Sequence, residues 1–174
     1  MTRVDRGRST VATAHGELRP RTTDPVAVGD WVGVDTVADA IEVTLPRRSA
    51  LSRRSPDKHT AALVVAANVD HVVLVHGLHL PVNLRRLERE LVLAWDSGAV
   101  PVVVLTKCDL SSTSNHERER VEAVALGVDV LVVSGRTGEG LDELRRRLGA
   151  GRTFVMLGAS GAGKSTLVNA LVGA

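Results

Sequence analysis

Eight residues near the end of the chain, Gly158-Ala159-Ser160-Gly161-Ala162-Gly163-Lys164-Ser165, have the types and spacing of a polyphosphate cradle. A loop that binds phosphates turns its backbone N–H groups inward, which requires residues that tolerate close approach and unusual dihedrals. Gly158, Gly161 and Gly163 supply that freedom, and Ala159 and Ala162 keep the loop small around Ser160. Lys164 is placed to meet the β- and γ-phosphates and is the catalytic candidate, Ser165 is the candidate Mg2+ ligand, and Thr166 follows them in the phosphate site. An apolar strand-like run precedes the loop and a helix-like run follows, so the positive end of a helix adds to the cradle. A glycine-rich turn without a ligand is the bland alternative, and the strand–loop–helix context argues against it.

A second group bears on the choice of base. Thr106-Lys107-Cys108-Asp109 follows the apolar run from Val102 to Leu105, so Asp109 falls past a strand's C-terminal end, where α/β sheets bind ligands. A carboxylate there accepts from guanine N1–H and from the 2-amino group, whereas adenine has no donor on that edge and would leave it unpaired. The alkyl stem of Lys107 can lie along the base plane. Thr106 stands where the guanine-selecting Asn-Lys-x-Asp pattern has asparagine, and a hydroxyl replaces only part of an amide's hydrogen bonding. Downstream, Ser134-Gly135-Arg136 takes the place of a third nucleotide loop, with Ser134 as a brace and the N–H of Gly135 or Arg136 available to guanine O6. Taken singly, these two groups have ordinary counterparts in solvated turns and strand-to-helix connections. Their order relative to the phosphate loop favours the nucleotide reading. The base-selecting group comes first and the phosphate loop last, the reverse of an ordinary GTP-binding domain, which points to a circularly permuted GTPase.

Alternating elements must hold these loops. From Val69 onward, buried-strand runs at Val72–Val75, Val100–Leu105, Val128–Val133 and Thr153–Leu157 alternate with helical stretches. The helices are expected through Leu84, Leu87, Leu91 and Trp95, over Glu117–Leu126, over Leu141–Leu148 and over Gly163–Val172. Such alternation predicts an α/β fold with a mostly parallel sheet covered on both faces. Residues 1–60 differ: short β-prone runs at Ser9–Ala14, Gly29–Thr36 and Ala40–Leu45, separated by turns, predict a small antiparallel unit, and a five-stranded barrel of the oligonucleotide-binding type fits its size. The boundary is therefore placed at residue 60, with 61–174 as the incomplete nucleotide domain.

Composition narrows the classes. With 174 residues, 44% of them apolar, the chain can bury a core, and no stretch resembles a membrane span or a secretory signal, so a cytoplasmic protein without a membrane partner is expected. One cysteine, Cys108, excludes an internal disulfide or a cysteine-rich zinc site within these residues. The formal charge of +2 says little, but Arg47, Arg48, Arg53, Arg54 and Lys58 crowd together with only Asp57 against them. That cluster either tracks nucleic-acid phosphates or is a solvated basic loop, and the sequence leaves both open.

Gly29-Asp30-Trp31-Val32, Leu45-Pro46-Arg47-Arg48-Ser49, Ala67-Asn68-Val69-Asp70, Thr106-Lys107-Cys108-Asp109-Leu110, Thr137-Gly138-Glu139-Gly140-Leu141 and the phosphate loop together resemble the ribosome small-subunit-dependent GTPase A family, also called RsgA, YjeQ or EngC. The likeness runs from about Val28 to the C-terminus. It implies an oligonucleotide-binding barrel, a permuted GTPase domain and a C-terminal zinc-binding domain. It also implies GTP hydrolysis, stimulated by the small ribosomal subunit, in the late maturation of that subunit, with GTP or GDP and ribosomal RNA as partners of a monomer. The family's switch segments, its Asp-Thr-Pro-Gly motif and its zinc domain would follow Ala174, so a partial member is expected, with Zn2+ only in that further domain and little hydrolysis by these residues alone. A non-catalytic guanine-nucleotide or rRNA-binding module is the alternative, and a P-loop ATPase or kinase is a third reading that Asp109 opposes. His59, His71, His76 and His79 show no metal-ligand spacing, Cys108 is expected as a packed thiol, Thr137 as a helix cap, and Trp31 as the core aromatic of the small barrel.

Overall fold

Short β-prone runs broken by turns can bury little surface each, and they do so by pairing with their sequence neighbours. The computed structural model describes residues 1–5, 7–53 and 63–173, so Arg54, Lys58 and His59 lie outside the described residues. The chain divides into Met1–Val69 and Asp70–Ala174.

In the first unit the strands are β1 (Arg3–Asp5), β2 (Arg8–Thr13), β3 (Gly16–Leu18), β4 (Val32–Asp35), β5 (Ala40–Thr44), β6 (Ala50–Arg53) and β7 (Leu63–Ala67). They form antiparallel ladders β1-β2-β3, β4-β5 and β6-β7. Single bridges join Arg8 to Arg21, Arg21 to Ala40 and Val28 to Ala66. These small antiparallel strands fit an oligonucleotide-binding-type domain. Its apolar core is thin, with Val11, Ala27, Leu51 and Ala67 buried. A buried polar centre supplements it: Asp30 accepts from the Ala27 N–H at 2.7 Å and takes a bidentate pair from Arg47, both bonds 2.7 Å. Gly29, at φ +92°, lies against Ala67 so closely that a Cβ would overlap the Ala67 carbonyl oxygen. Trp31 departs from expectation. It is 67% exposed, and the buried apolar places of this unit are held by aliphatic residues such as Val11, Leu51 and Ala67 instead.

The second unit runs β8 (His71–Gly77), α1 (Leu84–Asp96), β9 (Val100–Thr106), a 3-10 turn (Cys108–Leu110), α2 (Ser114–Glu122), β10 (Asp129–Val132), α3 (Leu141–Leu148), β11 (Phe154–Leu157) and α4 (Lys164–Val172). Its four strands are parallel in the order β10-β9-β8-β11. Val72–Val75 and Val102–Leu105 are fully buried, as strands covered on both faces must be. One face, with Val73, Val75, Val102 and Val104, packs against Leu141, Leu144 and Leu148 of α3 and Leu167 of α4. The alternate residues face the side where α1 lies on β8 and β9. Helix α1 starts at Asn83, whose side chain accepts from the Arg86 N–H at 3.0 Å. It buries Leu87, Leu91 and Ala94, while Trp95, one step past that stripe, is 54% exposed. Helix α2 begins earlier and ends earlier than the apolar pattern predicts, closing in a turn before Gly127 at φ +71°. Among the described residues no helix is long and apolar enough to cross a membrane.

Candidate functional site

β11 ends at Leu157 and α4 begins at Lys164, and the loop between them uses positive φ at Gly158 (+153°), Gly161 (+76°) and Gly163 (+93°). At Gly158 a Cβ would run into the Val75 carbonyl oxygen of β8, so the loop can cross the strand end this closely only with glycine there. Lys164 curls back along the loop and donates to the carbonyls of Gly158 (3.0 Å) and Ala159 (2.7 Å). These contacts hold its ammonium group over the loop. Ser165 and Thr166 are in the first turn of α4, and the Ser165 hydroxyl has no hydrogen-bond partner among the described residues.

The end of β9 meets that loop. Thr106, 3% exposed, donates its hydroxyl to the Ala162 carbonyl at 2.5 Å, so the group set for base choice is tied directly to the phosphate loop. Lys107 then takes a left-handed conformation (φ +61°), costly for a non-glycine residue, and its Nζ reaches to 3.4 Å from His79 Nδ1. Asp109 is anchored from the loop after β10: the Ser134 hydroxyl donates to Oδ1 at 2.6 Å, and Arg136 Nε lies 3.4 Å from Oδ2. Ser134 is fully buried, and its oxygen also accepts from the N–H groups of Arg136 (3.3 Å) and Thr137 (3.1 Å). Of Gly135 and Arg136, Gly135 is therefore the one whose N–H stays open among the described residues. Cys108 is buried, with burial first and Glu139 at 3.5 Å second pushing its thiol pKa up, so it stays a protonated packing group.

These residues enclose one cavity of about 190 Å³, bordered by Thr106, Lys107, Asp109, Gly135, Arg136 and Gly163, with Thr166 at its edge. Of the phosphate loop, Gly163 borders this space beside Asp109, while Ala159, Ser160 and Ala162 line a second cleft. Leu110 and Leu167 also line the Asp109 cavity, and neither stands out in the sequence, because a leucine beside a motif and a leucine in a helix carry no chemical signature. The second cleft, of about 230 Å³, is lined as well by His76, His79 and Arg86. At its base His76 Nε2 is 2.9 Å from Glu90 Oε2, close enough for an ion pair but not aligned as a hydrogen bond. This contact has no sequence signal, since its two partners lie in different elements. Thr137 does not cap α3: Gly140 is the N-cap, and the Thr137 hydroxyl accepts instead from the Glu139 N–H at 3.4 Å. No group of three or more histidine, cysteine or acidic residues is arranged for a metal among the described residues.

The basic cluster is split in function. Arg47 commits its guanidinium to Asp30, whereas Arg48 and Arg53 are exposed.

Comparison with known proteins gives a consistent result. The family model described as RsgA GTPase matches residues 44–174. The chain is 48% identical to the small ribosomal subunit biogenesis GTPase RsgA of Streptomyces avermitilis over 98% of this chain and 50% of that protein. It is 44% identical to the protein of the same name from Syntrophotalea carbinolica, over 92% of this chain and 47% of the other. Among solved structures, YjeQ from Thermotoga maritima superposes with a TM-score of 0.76 at 28% identity, covering 98% of this chain and 63% of that one. YloQ, described as a circularly permuted GTPase, shares the fold with a TM-score of 0.64 at 24% identity, covering 94% and 60%. The chain spans about half the length of the curated relatives it matches.

Proposed function

The chain belongs to the RsgA GTPase family, and from that membership we propose that it binds GTP and GDP and takes part in GTP hydrolysis during maturation of the small ribosomal subunit, in the cytoplasm. The observation that supports this best is the bond from the Thr106 hydroxyl to the Ala162 carbonyl, which ties the Asp109 loop to the phosphate loop beside a cavity that Asp109 and Gly163 both border.

In this reading Asp109 accepts from guanine N1–H and the 2-amino group, the Gly135 N–H meets O6, and Lys107 lies along the base. The N–H groups of residues 158–164 cradle the phosphates. Lys164 exchanges the carbonyls of Gly158 and Ala159 for β- and γ-phosphate oxygens, gaining a charged partner in place of a neutral one. Ser165 is the residue to hold Mg2+. Its donor chemistry fits, since Mg2+ in such sites takes few protein oxygens beside phosphate and water, and the hydroxyl is without a partner among the described residues. When bound, the ion would supply neutralisation of the phosphate charge. Thr166, the next residue of α4, lines the cavity that Asp109 borders. Ribosomal RNA is the proposed partner of the basic cluster, with Arg48, Arg53, Arg54 and Lys58 on phosphates and Arg47 bracing that surface through Asp30.

The test is displacement of a fluorescent GDP analogue by GTP, GDP and ATP, repeated with Asp109→Asn. GTP and GDP are expected to displace it far below the ATP concentration needed, and the variant to favour xanthine nucleotides. Equal displacement by ATP would overturn the guanine assignment. An unchanged base preference in the variant would remove Asp109 from the site.

A further inference from the structure

Asp109 has two carboxylate oxygens, and the chain itself engages both. Ser134 holds Oδ1 at 2.6 Å and Arg136 lies 3.4 Å from Oδ2. The two contacts differ in kind. Ser134 is buried and bound into its own turn, so it is a fixed brace that leaves the second lone pair of Oδ1 open. The Arg136 side chain is 76% exposed at the border of the cavity, and Asp109 is its one ion-pair partner among the described residues. A guanidinium presents planar N–H donors to a carboxylate, as the N1–H and 2-amino edge of guanine does. The Arg136 contact is an ion pair at 3.4 Å and not an aligned hydrogen bond, and a guanine edge seated on Asp109 would claim the same oxygen.

We propose that Arg136 is a built-in competitor of guanine: its guanidinium pairs with Asp109 Oδ2 and must leave before the base is read. The inference rests on the guanine reading of Asp109 given above. A pair with one partner this exposed is a weak lock, which favours the closed arrangement about two- to fivefold. Apparent association slows in proportion to the open fraction. The side chain therefore tunes nucleotide capture rather than preventing it. Once guanine is seated, the base has taken its place at Oδ2, so Arg136 does not control release. Adenine offers no donor for that oxygen and cannot displace the guanidinium by the same exchange.

Stopped-flow association and dissociation of a fluorescent GDP analogue test this on the full chain, with Arg136→Ala, Arg136→Lys and Asp109→Asn. Arg136→Ala is expected to associate about three- to sixfold faster with dissociation unchanged. Loss of a positive charge weakens attraction of the phosphates and works against this increase, so charge removal alone does not produce it. Arg136→Lys, which keeps an ammonium for Asp109, is expected to fall back toward the parent rate. Association that is unchanged or slower in Arg136→Ala would overturn the proposal, as would faster dissociation, which would show Arg136 holding the base. Asp109→Asn separates the two levels. If that variant still prefers guanine over xanthine, the reading of the base pocket fails irrespective of the Arg136 rates.

Discussion

Thr106 occupies a position where guanine-selecting motifs more often have asparagine, and its single hydroxyl is spent on the Ala162 carbonyl at 2.5 Å. The site is 3% exposed, so neither partner can turn to water if the bond is broken. Thr106→Val keeps the shape and removes only the hydroxyl. It is expected to cost about 1–3 kcal/mol by leaving a buried carbonyl unsatisfied, and to weaken GDP binding because the base and phosphate loops lose their tie. Thr106→Ser should stay close to the parent in both. Urea unfolding and nucleotide titration of the pair decide it, and a stable, tightly binding valine variant would show the tie to be dispensable. The chemistry of this residue was legible in the sequence as a departure from a pattern. Its partner was not, because a backbone carbonyl has no letter of its own and Ala162 lies far along the chain. The same holds for Asp109 and Arg136: the types and loops were readable, while their mutual contact depends on how two loops after adjacent strands fold over each other.

The helices show where pattern suffices and where it does not. α3 spans Leu141–Leu148 as the sequence predicts, since Leu141, Leu144 and Leu148 leave a single apolar face and Gly140 and Gly149 bound it. α2 is different, because it buries a polar residue, Glu117, beside the single valine Val121 and has no apolar stripe. Glu117 is 7% exposed, accepts from the Val82 N–H at 3.0 Å and pairs with Arg120 at 2.6 Å, thus fastening the segment before α1 to α2. Burial opposes its charge, but the Val82 N–H and Arg120 outweigh burial and bring its pKa below the ordinary glutamate value. A carboxyl with a depressed folded pKa adds stability that is complete above the unfolded value, about 4.3, and is lost as pH falls through the lower folded value. Acid unfolding followed by circular dichroism should therefore show Glu117→Gln losing less stability than the parent between neutral pH and about pH 3. The variant should already be the weaker protein at pH 7. Parallel acid curves for the two would remove Glu117 from the account.

At the scale of the whole chain, two units with different cores divide the chemistry. All residues bordering the Asp109 cavity come from Asp70–Ala174, and the exposed arginines Arg48 and Arg53 come from Met1–Val69. The sequence puts its change in composition near residue 60, whereas the chain divides between Val69 and Asp70. The strand order β10-β9-β8-β11 was not legible, since alternation fixes the direction of strands and leaves their sequence across the sheet open. The division has a functional consequence if rRNA phosphates meet the first unit and nucleotide phosphates the second. Replacing Arg48 and Arg53 together by glutamate removes surface charge without touching the Asp30–Arg47 pair that supplements the small core. That variant should lose rRNA affinity and show a shallower salt dependence, by about 0.9 for each phosphate it no longer neutralises on a duplex and about 0.7 on a single strand, while binding GDP as the parent does. Lys164→Ala should do the reverse, losing GDP and keeping rRNA with its full salt slope. Filter binding across a salt series and nucleotide titration of both variants give the four values needed. Loss of rRNA affinity in Lys164→Ala would place RNA on the phosphate loop itself, and the assignment of separate anion sites to the two units would have to be abandoned.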